Sequence, residues 1–273
     1  MIAKKYQDIL AEVEPFILGN PNVFKNYPKE VLGLKFKDEN LLNCLERKNA
    51  SLFELLQKLD GLTFGHQGMG MDRWVFFDCA AMPSGIFGLG LPKHKLDVKF
   101  LNMLEVPETY EGLVPISMYM AIPTSDRGRW FGHNLSSLNK FLGTKRPGLG
   151  LLTKALACQV FQIEWCYGAT QWGSPAIEIH SQLAPMKLKA AWLSAHSYPN
   201  SLCYASDYSE ENLKVALSGE KRAALRVDLW LESKDETAQK ELQNKIESGE
   251  TIWLAGRPKK EKGQVFYPIK FES

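Results

Sequence analysis

Two stretches gather the side chains best suited to acid–base or carboxylate chemistry. The first, Asp126-Arg-Gly-Arg-Trp-Phe-Gly-His-Asn-Leu-Ser-Ser-Leu138, alternates as a strand does. Residues 129, 131, 133, 135 and 137 then share one face, and Asn134 and Ser136 the other. Arg129, His133 and Ser137 could meet in a cavity, where a guanidinium holds a carboxylate through two parallel hydrogen bonds. A solvated sheet face, with Arg129 in a surface ion pair, fits the same alternation. Gly128 and Gly132 are open to two readings, close ligand approach or a bulge. The second stretch runs from Trp172 to Met186 and reads as continuing the β pattern over Ala176–Ile179. Strand alternation puts Glu178 and His180 on one face, with Ile177, Ile179 and Ser181 on the other. A carboxylate beside an imidazole fixes its tautomer and raises its basicity, so the pair is an acid–base candidate, with a structural hydrogen bond as the alternative. His196 stands alone and reads as structural.

A third stretch, Lys145-Arg-Pro-Gly-Leu-Gly150, opens a helical pattern. Free N–H groups at a helix start attract phosphate, and glycines let it come close. The K-x-x-G-x-G spacing resembles the pyrophosphate loop of GCN5-related acetyltransferases, where the first position is usually Gln or Arg. A strand at Trp130–Leu138 before it and a helix after it fit that context. About six residues carry this likeness, and short glycine patterns are common. It implies an acyl-CoA-dependent N-acyltransferase.

The elements that must position these groups are mixed. Residues 1 to about 60 read as a helical N-terminal extension: Tyr6, Ile9, Leu10 and Val13 recur at helical spacing, and Ser51-Leu-Phe-Glu54 fits a capping box. From about residue 61 to 273, strands dominate. They are expected at Arg73–Asp78 and Ile86–Leu89 (a hairpin through Met82–Gly85), Val114–Ile122, Trp130–Leu138, Lys187–Leu193, Ala224–Leu231, Thr251–Ala255 and Gln264–Phe271. Helices are expected at Leu151–Cys166, 209–218 and 235–247. Without repeats, low-complexity linkers or regular βαβ alternation, the chain reads as a single α+β domain.

Composition narrows the function classes. Lys and Arg number 33 against 31 Asp and Glu, so charge gives no reason to expect nucleic acid or a membrane surface as partner. The first eighteen residues lack the apolar run of a signal peptide, and no stretch approaches the length of a membrane span. Five cysteines are scattered without C-x-x-C pairs, which points to inert thiols in a reducing, cytoplasmic compartment and to no metal site.

A longer resemblance ties the first two stretches together. Met118-Tyr119 is followed by Gly128-Arg129 and Asn134-Leu-Ser-Ser-Leu138, then by Trp172-Gly-Ser-Pro175, Ala184-Pro185 and Ser194-Ala-His196. This order is similar to that of the acetoacetate decarboxylase family, over roughly residues 70–205. Asp78 falls near that family's glutamate, in a segment similar to its acid-bearing strand. The resemblance implies a mostly antiparallel β-barrel or cone, a homo-oligomer, and a pocket for a small oxo-acid or carboxylate. Arg129 would bind the carboxylate, with Asn134, Ser136, Ser137, Asp78 and Trp172 as further substrate-binding residues. His133, or Glu178 with His180, would supply acid–base catalysis. The family's Schiff-base lysine and its lysine neighbour both read as serine here, Ser136 and Ser137, and serine cannot form an imine. Lys140 is the nearest replacement in sequence. The expectation is a lyase or hydrolase on a small oxo-acid, or a non-catalytic small-molecule binder, with no cofactor.

Overall fold

In the computed structural model, residues 2–272 are described except His66, Gln67, Ser84, Gly143, Thr144, Lys221, Ala223 and Ala224, and except the side chain of Lys140. Parts of three expectations (the Met82–Gly85 turn, the start of the Ala224 strand and the Lys140 amine) lie outside the described residues. The chain divides into two compact units. The N-terminal unit holds Ile2–Arg127 and Phe131–Gln162. The C-terminal unit holds Gly128–Trp130 and Ile163–Ser273.

The N-terminal unit begins with α1 (Lys4–Glu12), β1 (Glu14–Gly19), the single turn α2 (Pro21–Phe24), the small hairpin β2 (Glu30–Val31) and β3 (Leu34–Lys35), and β4 (Leu41–Asn43). The long α3 (Ala50–Phe64), α4 (Arg73–Ala81), β5 (Ile86–Leu91), α5 (Val98–Met103), β6 (Val114–Pro123), β7 (Arg129–Ser137, in this unit from Phe131 onward) and α6 (Leu149–Val160) follow. Its main sheet runs β7-β6-β5-β1-β4. β1 is antiparallel to β5 and parallel to β4, and β5 is antiparallel to β6. The first sixty residues are therefore not helical throughout: Phe16, Ile17 and Leu18 of β1 are fully buried within the sheet. Five buried residues in a row hide strand alternation, because a strand covered on both faces has no polar side to show.

α4 corrects the strand expected at Arg73–Asp78. Its aromatic and β-branched run has strand-like composition, but its buried positions are Phe76, Cys79 and Ala80, spaced three and four apart as on a helix. Phe76 meets Phe53 of α3 edge-on, with centroids 6.3 Å apart. α3 carries a helical stripe of buried Leu52, Leu55, Leu56 and Leu59. It starts one residue before Ser51, so Ser51 does not cap it; no side chain does.

The C-terminal unit contains β8 (Trp165–Gln171), α7 (Pro175–Leu183), β9 (Met186–Ala190), β10 (Ser201–Asp207), α8 (Glu210–Ser218), β11 (Leu229–Glu232), α9 (Glu236–Glu247), β12 (Thr251–Leu254), β13 (Lys259–Glu261) and β14 (Gln264–Glu272). Its strand order is β8-β10-β9-β12-β14-β11, with β13 beside β14 and every pairing antiparallel. Leu188, Leu202, Ile252 and Ile269 form its core, with Leu242 of α9. The fold is α+β with mostly antiparallel strands, and no closed barrel is detected among the described residues.

One packing device recurs in both units. Gly88 on β5 stands opposite Phe16 on β1, and Gly168 on β8 opposite Tyr204 on β10. Each aromatic ring lies across the bare backbone of its glycine. A Cβ would come within 2.1 Å of the Phe16 ring and 2.6 Å of the Tyr204 ring.

Among the described residues, no helix is long and apolar enough to cross a membrane.

Candidate functional site

β7 has the alternation expected of it. Trp130, Asn134, Ser136 and Leu138 are buried, while Arg129, Phe131 and His133 are exposed. Arg129 and His133 thus lie on an open face rather than in a cavity. Arg129 belongs to the C-terminal unit and His133 to the N-terminal one. The Ser137 hydroxyl oxygen is buried and has no hydrogen-bond partner among the described residues.

α7 corrects the strand placed over Ala176–Ile179. Ser174 is its N-cap, accepting a hydrogen bond from the Ala176 N–H at 3.2 Å, and Pro175 occupies the first turn. Ser-Pro is a helix-start signal, since proline has no N–H to leave unsatisfied there. Helix geometry separates Glu178 and His180 by about 200° around the axis, so they do not share a face. His180 is buried, its ring 5.3 Å from that of Tyr204. Trp172 is a core residue: its indole N–H donates to the Ala191 carbonyl at 2.7 Å, and its ring packs on Tyr267. Asp78 is exposed on α4. His196 is exposed, and its Nδ1 accepts from the Tyr198 N–H at 2.9 Å.

The inner face of β7 carries a polar chain that sequence alternation alone does not disclose. Asp60, 1% exposed near the end of α3, accepts from the Met71 N–H at 2.7 Å and from Asn134 Nδ2 at 2.5 Å. Ser136 Oγ donates to Asn134 Oδ1 at 2.8 Å, and Ser117 Oγ donates to the Ser136 carbonyl at 2.9 Å. Thr153 Oγ1, in α6, lies 2.9 Å from both Ser117 Oγ and the Leu149 carbonyl, and its single proton serves one at a time. The chain runs from α3 through β7 and β6 to the first turns of α6. Satisfied buried networks of this kind fix one arrangement of the elements they join. Asp60, Ser117 and Thr153 belong to no motif in the sequence. Asp60 left a trace in it: a carboxylate at i+4 from Leu56, inside the apolar stripe of α3.

Burial pushes the Asp60 carboxyl above the ordinary range, partly offset by the Met71 and Asn134 hydrogen bonds and by nearby His133. A carboxyl with a higher pKa folded than unfolded holds its proton more tightly in the folded state. Its stabilising contribution is therefore complete below the unfolded value and is lost as pH rises through the folded one. Wild type should gain stability relative to Asp60→Asn when pH falls from neutral to about 4, near the unfolded carboxylate value. Paired urea melts at the two pH values measure the difference; an equal gap at both would mean that Asp60 does not titrate between them.

Where β7 ends, the chain passes through the loop to α6. Arg146 is committed to structure: its guanidinium grips Glu12 at the end of α1 (Nη2 to Oε2, 2.7 Å), and its N–H donates to Asn139 Oδ1 at 2.6 Å. Gly148 is the N-cap of α6 at φ +90°, a conformation that suits glycine. A Cβ there would also stand 2.7 Å from the Tyr6 ring of α1. The Leu149 N–H donates to the Arg146 carbonyl at 3.1 Å; Gly148 supplies no side-chain acceptor, so the N–H groups of Gly150 and Leu151 have no cap from it. Lys145 is exposed, with no ion-pair partner among the described residues. Within α6, Lys154 is 1% exposed and sits over the Tyr119 ring at 5.2 Å.

Among the described residues, no three His, Cys, Asp or Glu side chains converge as metal ligands would. No model of a known protein family matches the chain, and no curated protein is similar enough to it to count as a match.

Proposed function

We propose that the chain is an acyl-CoA-dependent N-acyltransferase whose coenzyme A diphosphate binds at the start of α6. The observation that carries this reading is the strand–loop–helix built by β7, Lys145–Gly148 and α6, with a glycine cap that gives the Gly150 and Leu151 N–H groups of a twelve-residue helix no side-chain acceptor, the Leu149 N–H being taken by the Arg146 carbonyl. The loop lies beyond the carboxyl end of β7. The helix dipole and the N–H groups together favour a phosphate. Lys145 adds an unspent positive charge, and Arg146 holds the loop to α1 rather than to a ligand.

The reaction would be attack of a neutral amine on the thioester carbonyl. A C–N bond forms, the C–S bond breaks, the amine proton leaves to a base and the departing thiolate takes up a proton. On this reading the buried chain from Asp60 to Thr153 holds α6 at a fixed register against β7, so its N–H groups are aimed before ligand arrives.

Coenzyme A and acetyl-CoA should raise the melting temperature of the full chain, because a ligand that binds only the folded state stabilises it by mass action. Lys145→Glu should melt as wild type does without ligand, since the side chain is exposed and has no ion pair to lose. Its coenzyme A dissociation constant should rise about tenfold, on the order of 1.4 kcal/mol. Melts that stay flat at millimolar coenzyme A would sink the proposal.

The acetoacetate decarboxylase-like reading, with its barrel or cone and oxo-acid pocket, has less to support it. Asn134 and Ser136 face inward and bond to Asp60 and each other, while Arg129 and His133 face outward.

A further inference from the structure

A hollow of about 730 Å³ opens in the N-terminal unit beside the start of α3. It is bounded by the Cys44–Arg47 segment after β4, by Phe53 on α3, and by Asp72, Trp74 and Phe77 at the start of α4. The volume suits a small organic ligand. Its apolar surface is unusually open for this chain: Trp74 is 65% exposed, Leu45 63% and Phe77 41%. Phe53, buried, backs Phe77 with ring centroids 6.2 Å apart, so the aromatic wall is held from behind.

The charges around the hollow divide into committed and uncommitted groups. Glu46 pairs with Lys48 at 2.7 Å, and Arg73 pairs with Glu54 at 3.6 Å. Arg47 and Asp72 have neither an ion pair nor a side-chain hydrogen bond among the described residues. Asp72 occupies the N-cap of α4, where an aspartate ordinarily accepts from its own helix, yet it makes no such bond. One free cation and one free anion thus flank a single aromatic hollow.

We infer that this hollow binds a free α-amino acid with an aromatic or large apolar side chain. Arg47 would take the carboxylate through paired N–H donors, Asp72 the ammonium, and Trp74 with Phe77 the side chain. A simple carboxylate or amine would leave one of the two protein charges unanswered, which is how a site of this type discriminates. The inference is independent of the coenzyme A reading, since neither the loop nor α6 lines the hollow.

Calorimetric titration of the full chain with L-phenylalanine, 3-phenylpropionate and 2-phenylethylamine tests it. The amino acid should bind at least tenfold more tightly than either analogue. Arg47→Ala should bind phenylalanine no better than wild type binds the amine, and Asp72→Asn no better than wild type binds the acid. Trp74→Ala should weaken all three ligands together. All three substituted side chains are exposed, so each variant should keep the wild-type melt. Absence of binding by all three probes to folded wild type would overturn the inference. So would equal binding of all three that survives Arg47→Ala and Asp72→Asn, since the hollow would then be merely apolar.

Discussion

Asp60→Ala should lower the unfolding free energy by about 1–3 kcal/mol from one buried donor left without its acceptor, and by a smaller amount from a second, partly buried one. The donors are the Met71 N–H and Asn134 Nδ2, both bonded to this one carboxylate. The loss should reach further than its neighbours. Freed from Asp60, the Asn134 amide can turn, and the Ser136 hydroxyl loses the acceptor that orients it. A double-mutant cycle with Thr153→Val reads that reach. The two sites lie at opposite ends of the polar chain, and a coupling energy above about 0.5 kcal/mol would show it acting as a unit. Urea midpoints supply all four corners of the cycle. A wild-type midpoint for Asp60→Ala would mean that water replaces the carboxylate without loss, and the chain would then lose its proposed role in holding α6.

Gly88→Val should be the other severe substitution, costing about 1–3 kcal/mol at the least, because it inserts atoms into a filled core. The first added carbon alone would overlap Phe16, which has no room to retreat: it is fully buried in β1, between β5 and β4. The cost should fall sharply in the Phe16→Ala background, where the space under the ring is already empty. Gly168→Ala repeats the experiment in the C-terminal unit against Tyr204. Its overlap is milder, so its loss should be smaller than that of Gly88→Val.

Much of this architecture is legible in the sequence, and the exceptions have physical causes. β5, β6, β7, α8, α9, β12 and β14 stand close to where period and turn residues put them, because each has either one polar face or a clear punctuating residue. α4 and α7 resemble strands in the sequence for opposite reasons. In α4 the side chains are strand-like, and only the 76, 79, 80 spacing reveals the helix. In α7 the spacing is short and ambiguous, while Ser174-Pro175 marks the start of a helix. β1, β8 and β10 have no clear strand signal in the sequence; β1 and much of β10 are buried on both faces and so do not alternate. The glycine loop was visible as a motif, and so was its strand–helix frame. Its buried support was not, because Asp60, Asn134, Ser117 and Thr153 come from four elements that only tertiary structure brings together.

The grip of Arg146 on Glu12 spans 134 positions of the chain, and that span has a temporal meaning. During synthesis at about 5–20 residues per second, Glu12 is made roughly 7 to 27 s before its arginine. Tyr6, which packs on Gly148 in the finished protein, waits as long for its glycine. The α6 loop is therefore among the last parts of the N-terminal unit to be assembled, and its shape depends on the earliest helix. Deleting α1 would disable the loop without removing a single residue of it.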